Sequence, residues 1–230
     1  MTIRCIDIET TGLDPATAAI VEIASVDVLR DGGITNIQES LVNPGVPIPA
    51  ESSAVHHLID ADLQGAPRLD AIIDHYKGAD AYVAHNADFE RSFLAPYLGD
   101  ATWICTYKCA LRSWPDLLSH GNQALRYHLG LINPHGIDRK TLLPHRALSD
   151  VIVTSAIFIE LLKFASWGEL VQWSGEPALL TILGFGKHRG ARFDAVPEDY
   201  LRWIAEGQNE LRDEVKFSAR HWLAKRHNLS

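Results

Sequence analysis

Residues 3–9 of the chain read IRCIDIE, and their alternation has the period of two that a β-strand imposes on its side chains. Ile6 and Ile8 fall on one face, Cys5, Asp7 and Glu9 on the other. Two carboxylates therefore project to the same side of one strand, within reach of a shared divalent cation, and hard oxygen ligands of this kind favour magnesium or manganese. An Asp-x-Glu alone is weak, because exposed strand faces carry acids routinely. It does fix the frame that the rest of the chain must meet: a sheet that holds acids on one face.

Residues 20–29 (IVEIASVDVL) read as a second strand, and the turn Asp31-Gly32-Gly33 leads into a third over 34–43, so the chain opens as an antiparallel meander. After a connection rich in Pro44, Pro47 and Pro49, helical patterns are predicted near 51–58 and 68–77. A buried strand follows at 81–84 and a helix from about Asp88 to Leu98. A short strand at 103–105 precedes helical segments near 106–114 and 122–130, and residues 147–164 form the clearest long helix. Strands alternating with helices after a meander define an α/β chain with a mixed sheet. With 230 residues and 47% hydrophobic content, one enzyme domain plus a small appendage is expected. The divisions are a domain over 1–166, a linker over 167–183 marked by Gly168, Gly175 and Pro177, and a small C-terminal module over 184–230.

The formal charge of −8 argues against broad adhesion to nucleic acid, since phosphate contacts need Lys and Arg. The charge is uneven: residues 184–230 carry nine Lys and Arg against seven acids, so the first 183 residues hold −10. Some of that acidity fits metal-binding carboxylates, although a solvated acidic surface accounts for most of it. Cys5, Cys105 and Cys109 form no Cys-x-x-Cys pair and read as reduced structural thiols. There is no basic, apolar leader and no run approaching the roughly 18 apolar residues that span a bilayer, so a soluble, cytoplasmic protein is expected.

Three segments carry the chemistry, in this order: CIDIETTGLDP over 5–15, AHNADFERSFL over 84–94 and HRALSD over 145–150. Together they resemble the DEDDh exonucleases, most closely the exonuclease X-like branch, over residues 3–164. The segment FGKHRG…PEDYLRWI also resembles the tail of that branch. The resemblance implies an RNase H-like mixed sheet flanked by helices, with four acids binding two magnesium ions for which manganese can substitute. It also implies a histidine five residues before the last acid that activates water. Asp7 and Glu9 match the first motif, His145 and Asp150 the last. In the middle motif the family's metal-binding Asp is replaced by Glu90, while Asp88 falls on a variable position. Residues two apart on a helix point to different sides, so Glu90 is assigned as ligand and Asp88 to the helix start, where an acid meets the positive end of the dipole.

Two metals about 3.5–4 Å apart can activate water and stabilise a departing 3′ oxygen. A free imidazole, titrating near ~6.5, suits proton removal at neutral pH. By the same resemblance Thr10, Thr11, Gly12 and Leu13 receive the terminal nucleotide, Leu13 against its base, and His85, Asn86 and Phe89 join the substrate site. Phe89 also has the character of a core residue. Lys187, Arg189 and Arg192 lie in a glycine-rich stretch suited to gripping phosphates, or else form a hairpin with solvated charges. The spacing of Trp203 with Tyr200 and Ile204 predicts a buried indole.

The resemblance thus implies a 3′→5′ exonuclease that acts on a nucleic acid with a free 3′ end, DNA ahead of RNA, and releases nucleoside 5′-monophosphates in repair or end-trimming. The alternatives are an exoribonuclease that trims RNA ends and, from the substitution at Glu90, a catalytically weakened nucleic-acid-binding protein. A homodimer is an expectation by analogy only.

Overall fold

β1 (Ile3–Thr10) is buried along most of its length and lies at the centre of the sheet. The structure, a computed structural model, describes residues 1–207 and 210–227. β1 pairs antiparallel with β2 (Ile20–Val28), which pairs antiparallel with β3 (Ile34–Leu41). On its other side β1 runs parallel to β4 (Ala81–Ala84), and β4 parallel to β5 (Thr102–Cys105), giving the order β3-β2-β1-β4-β5. The meander expected from the first 43 residues is present, and β1 is the strand where antiparallel pairing changes to parallel. The strand order also reverses between β1 and β4, and in open α/β sheets ligands gather outside the carboxyl ends of the strands at such a switch point.

Nine α-helices occur among the described residues: α1 (Ala50–His56), α2 (Leu69–Ile72), α3 (Ala87–Leu98), α4 (Thr106–Ser113), α5 (Asn122–His128), α6 (Ala147–Phe164), α7 (Trp167–Gly175), α8 (Glu198–Glu206) and α9 (Asp213–His227). Cys5, Val83 and Ile104 share one apolar cluster with Val151, Phe158 and Leu161 of α6. Ile6, Ile8 and Tyr82 share another with Leu94 of α3 and Trp103. Helices therefore cover both faces, and the period-two alternation of β1 sorts its side chains between the two layers.

The helical stretch expected over 68–77 is shorter, α2 giving way to a 3-10 turn at Ile73–Tyr76. The expected linker contains α7, whose start is a capping box: the Ser166 hydroxyl accepts from the Glu169 amide, and the Glu169 carboxylate accepts from the Ser166 amide at 2.8 Å. Gly168 sits inside its first turn and Gly175 at its end, so glycines that read as linker punctuation lie within a helix held by packing on β5 and α4.

The C-terminal module has its own core, in which Leu183, Phe193, Leu201 and Ile204 meet Trp222 of α9. It docks on the first part of the chain through Arg192, which pairs with Asp116 at 3.0 Å and donates to the Pro115 carbonyl.

Arg126 on α5 is 1% exposed, and its guanidinium donates to the carbonyls of Leu131, Ile132 and Leu142 and to Oε1 of Gln123. These bonds tie the long 129–142 connection to the helix below it. Replacing the guanidinium leaves several buried carbonyls unpaired, so Arg126→Met is expected to cost about 2–4 kcal/mol. The expected fall in melting temperature is roughly 4–16 °C for a chain of this size. An unchanged thermal melt would refute the role.

Candidate active site at the carboxyl end of the central strand

Asp7 and Glu9 stand near the end of β1, in a cavity of about 270 Å³ that they share with Ile8, His85, Asn122, His145 and Asp150. The register of β1 against β2 shifts between Glu9 and Thr10, a bulge that ends the regular ladder just after the second acid. Up to that point the pairing is regular and sets Glu9 directly opposite Glu22.

The third wall is the start of α6. Asp150 reaches back so that Oδ2 accepts the His145 amide at 2.7 Å, while Oδ1 accepts from Gln123 Nε2 at 3.0 Å. The spacing of five between His145 and Asp150 is thus closed by a hydrogen bond. His145 has φ of +59° and an exposed side chain, a conformation uncommon for a residue with a Cβ and sustained here by that bond. Ligand atoms of Glu9, His145 and Asp150 all lie within 4.8 Å of one another.

What anchors α6 there is Glu22, fully buried. Its carboxylate accepts from the Arg146 guanidinium at 2.6 Å and from the Ala147 amide at 2.8 Å, an acid at a helix N-terminus next to the residue that follows His145. Sequence reasoning left Glu22 inside an apolar strand. Its only signal was an acid in the third position of IVEIASV, a place where a two-sided buried strand should carry none. Gln123 and Asn122 were also missed; Asn122 Nδ2 donates to Thr154 Oγ1 at 2.8 Å and lines the cavity.

The two acids at the start of α3 part company as their helical spacing requires. The side chain of Asp88 is 66% exposed and pairs with Lys108 at 2.8 Å. Glu90 is buried, 3% exposed, and its Oε2 has no hydrogen-bond partner. A buried oxygen without a donor is costly for a carboxylate. It is the kind of unmet acceptor that a hard cation satisfies.

Burial raises the pKa of Asp7 well above the usual carboxylate range, and the charges of Glu90, Asp150, Glu9 and Glu22 add to it. Glu90 is raised by burial and by Glu9, Asp150 by burial against the opposing pull of Gln123 and the His145 amide. Glu9 is pushed up to about 8, first by burial, then by Asp150 and Glu22. Arg146 is engaged with Glu22, so acids are gathered here without matching cations. Hard oxygen donors, mutual repulsion and an unpartnered Glu90 oxygen suit a divalent metal.

Of the remaining expected residues, Thr10 donates its hydroxyl to the Gly12 carbonyl at 2.6 Å, and Thr11 bonds Ala19 through both its amide and its hydroxyl. This bracing leaves Leu13 at the tip, 85% exposed. His85 Nδ1 lies 2.9 Å from Thr106 Oγ1, which holds the ring at the cavity wall. Asn86 is exposed, while Phe89 packs on Phe93 at the edge of the core. Lys187 and Arg189 are exposed on the module. Arg192 is not free for phosphate, because Asp116 and Asp194 both pair with it. Trp203 corrects its expected burial: it is 48% exposed, lying beside Tyr200 with ring centroids 5.2 Å apart while Leu201 and Ile204 take the core positions.

A central β1 carrying two acids, a third on α6 and a fourth on α3 define the class, and the Exonuclease family model matches residues 5–158. The chain belongs to that family. It is 37% identical to exodeoxyribonuclease 10 of Escherichia coli (strain K12) over 228 residues, covering 96% of this chain and 98% of that one. Exonuclease X in complex with 5′ overhanging duplex DNA superposes with a TM-score of 0.64 at 37% identity, covering 75% of this chain and 99% of that one. The E. coli exonuclease I complex with a dA16 oligonucleotide, at 13% identity and a TM-score of 0.56, covers 75% of this chain and 42% of that one and shares the fold. No helix among the described residues is long and apolar enough to cross a membrane.

Asp7, Glu9, Glu90 and Asp150 are all raised, and for Glu9 the folded chain binds more protons than the unfolded chain between the ordinary value of 4.5 and about 8. Their contribution to stability is therefore full below that window and is lost as pH rises through it. In a chelator, the melting temperature is expected to fall across this range, and a divalent cation should remove the fall. A chelated protein whose melting temperature rises over the same range would refute the charge accumulation.

Proposed function

We propose that the chain is a metal-dependent 3′→5′ exonuclease acting on DNA, with Asp7, Glu9, Glu90 and Asp150 as metal ligands and His145 as general base. One observation carries the reading. Asp7, Glu9 and Asp150 line one cavity with an exposed histidine, and buried Glu90 is close enough to raise Asp7, on a chain that matches exodeoxyribonuclease 10 along nearly its whole length. Bound magnesium would neutralise phosphate charge and make a water acidic enough to attack, and manganese would serve in its place.

The residues of the chain do the rest. His145, outside the helix and exposed, takes the proton of the attacking water, while the bond from its amide to Asp150 keeps the imidazole over the acids. The water oxygen attacks the last phosphorus, the bond from phosphorus to the 3′ oxygen of the preceding nucleotide breaks, and that oxygen takes up a proton from solvent to become the new 3′ hydroxyl. The released nucleotide keeps its 5′ phosphate. Leu13, exposed at the tip of a braced loop, supports a terminal base, and Thr10, Thr11, Gly12, His85, Asn86 and Phe89 complete the substrate site. The proposed division has a catalytic unit over 1–166 and a binding module over 184–230, where Lys187 and Arg189 meet phosphates. Trimming or repair of DNA ends is the role this reading assigns.

Asp7→Ala and Glu90→Gln are each expected to lower magnesium-dependent release of mononucleotides from a labelled DNA oligonucleotide by about three orders of magnitude or more, a metal ligand being worth several kcal/mol in the transition state. Asp88→Asn should stay close to the parent rate, since that acid faces Lys108. Full activity of Asp7→Ala would sink the metal assignment, and an inactive Asp88→Asn beside a normal Glu90→Gln would move the ligand by two residues. The same assay on RNA tests the sugar: faster release from RNA would overturn the choice of DNA.

Replacing Lys187 and Arg189 together by Ala should flatten the salt dependence of binding, by about 0.7 in slope for each phosphate of a single strand that is no longer neutralised. An unchanged slope would make the module's basic loop structural.

A further inference from the structure

The seam between the C-terminal module and the catalytic part encloses a second cavity, of about 330 Å³, far in chemistry from the acidic site. Its walls are aromatic: Trp173 from α7, Phe217 and Trp222 from α9. Its charged members are Arg112, His221, Lys225 and Glu176. The guanidinium carbon of Arg112 lies 5.9 Å from the Trp173 ring centre and 5.8 Å from that of Phe217, so one cation bridges walls contributed by two different helices. The Arg112 side chain is only 9% exposed, held by Glu176 at 2.7 Å and by the Lys108 carbonyl.

Arg112 neutralises Glu176, which leaves Lys225 as the uncompensated charge. Its ammonium sits 4.8 Å from the Trp222 ring centre, and among the described residues no carboxylate lies within ion-pair distance of it. The surroundings of His221 agree: after burial, Lys225 and Arg112 depress its pKa ahead of the opposing pull of Glu176. Flat apolar walls with a cationic rim complement a planar aromatic ring that carries an anion. On a chain that handles nucleic acid, that description is a nucleotide.

We infer that the cavity between Trp173, Phe217 and Trp222 is a nucleotide-binding site separate from the catalytic cleft, with Lys225 facing the phosphate. The shared chemistry is a nucleoside 5′-phosphate, met either as the free mononucleotide or as one unit of a strand. The identity of the ligand rests on the nucleolytic reading above; the shape and charge of the cavity do not.

The test uses the full chain with its six tryptophans replaced by 5-fluorotryptophan, in EDTA so that no hydrolysis occurs. Trp173 and Trp222 resonances are assigned with Trp173→Phe and Trp222→Phe. Deoxyadenosine 5′-monophosphate is titrated in one arm and an adenine oligodeoxynucleotide in the other. Saturable shifts at Trp173 or Trp222 are expected in at least one arm. The mononucleotide arm marks a site for the free product, the oligomer arm a site along the strand. Lys225→Glu, an exposed and structurally mild change, should weaken that binding at least about tenfold, the worth of a single base stack or phosphate pairing. Unmoved Trp173 and Trp222 resonances in both arms, or parental affinity in Lys225→Glu, would overturn the inference. Magnesium-dependent hydrolysis measured in parallel separates the two readings. Nucleotide binding at Trp173 or Trp222 without hydrolysis would refute the nuclease and keep the cavity, and hydrolysis with both resonances unmoved would do the reverse.

Discussion

The arrangement depends on how acids that repel one another are held together. Glu9 and Glu22 face each other across β1 and β2, and Glu22 is fully buried. What permits it is the start of α6, which brings the Arg146 guanidinium and the Ala147 amide to the same carboxylate. A carboxylate buried without a partner is costly to ionise and tends to hold its proton, whereas a paired and hydrogen-bonded one can stay charged. Meeting that need puts the start of α6 against β2, and the position of α6 in turn sets where His145 and Asp150 stand. A contact between elements more than a hundred residues apart in sequence therefore fixes the geometry of the site.

Much of this could be read from the residues, because the informative parts of the chain are local. The alternation in β1 and the apolar run of α6 depend on periods that a short window reveals. The ordering of Asp7, Glu9, Glu90, His145 and Asp150 along the chain was equally legible. Less so were Glu22, Gln123 and Arg126, polar residues whose partners lie on other elements and which look ordinary in their own windows. The helix α7 escaped for a different reason. Its glycines weigh against a helix locally, and packing on β5 overrides them.

The C-terminal module shows the same division. Its core follows from helical spacing, as the burial of Leu201 and Ile204 bears out, but the fate of each charge does not. Arg192 looked like its glycine-flanked neighbours and is instead the docking residue, because Asp116 and Pro115 of the catalytic part happen to meet it. Trp203 had the period of a core residue yet lies at the margin of a small core already filled by its neighbours. In a module this small, the surface claims residues that pattern alone assigns to the interior.

The sheet has two edges, and they are closed in different ways. At β5, the Cys105 amide donates to Ser174 Oγ of α7 at 2.8 Å, so an element from just before the module caps a backbone group that would otherwise seek another strand. At β3 the protection is compositional: Asn36, Gln38 and Glu39 line a strand whose pairing with β2 is interrupted between Ser25 and Asp27. An open edge is where chains join into continuous sheets and aggregate. With one rim plugged by a helix and the other polar and irregular, both rims of the sheet are poor templates for another strand.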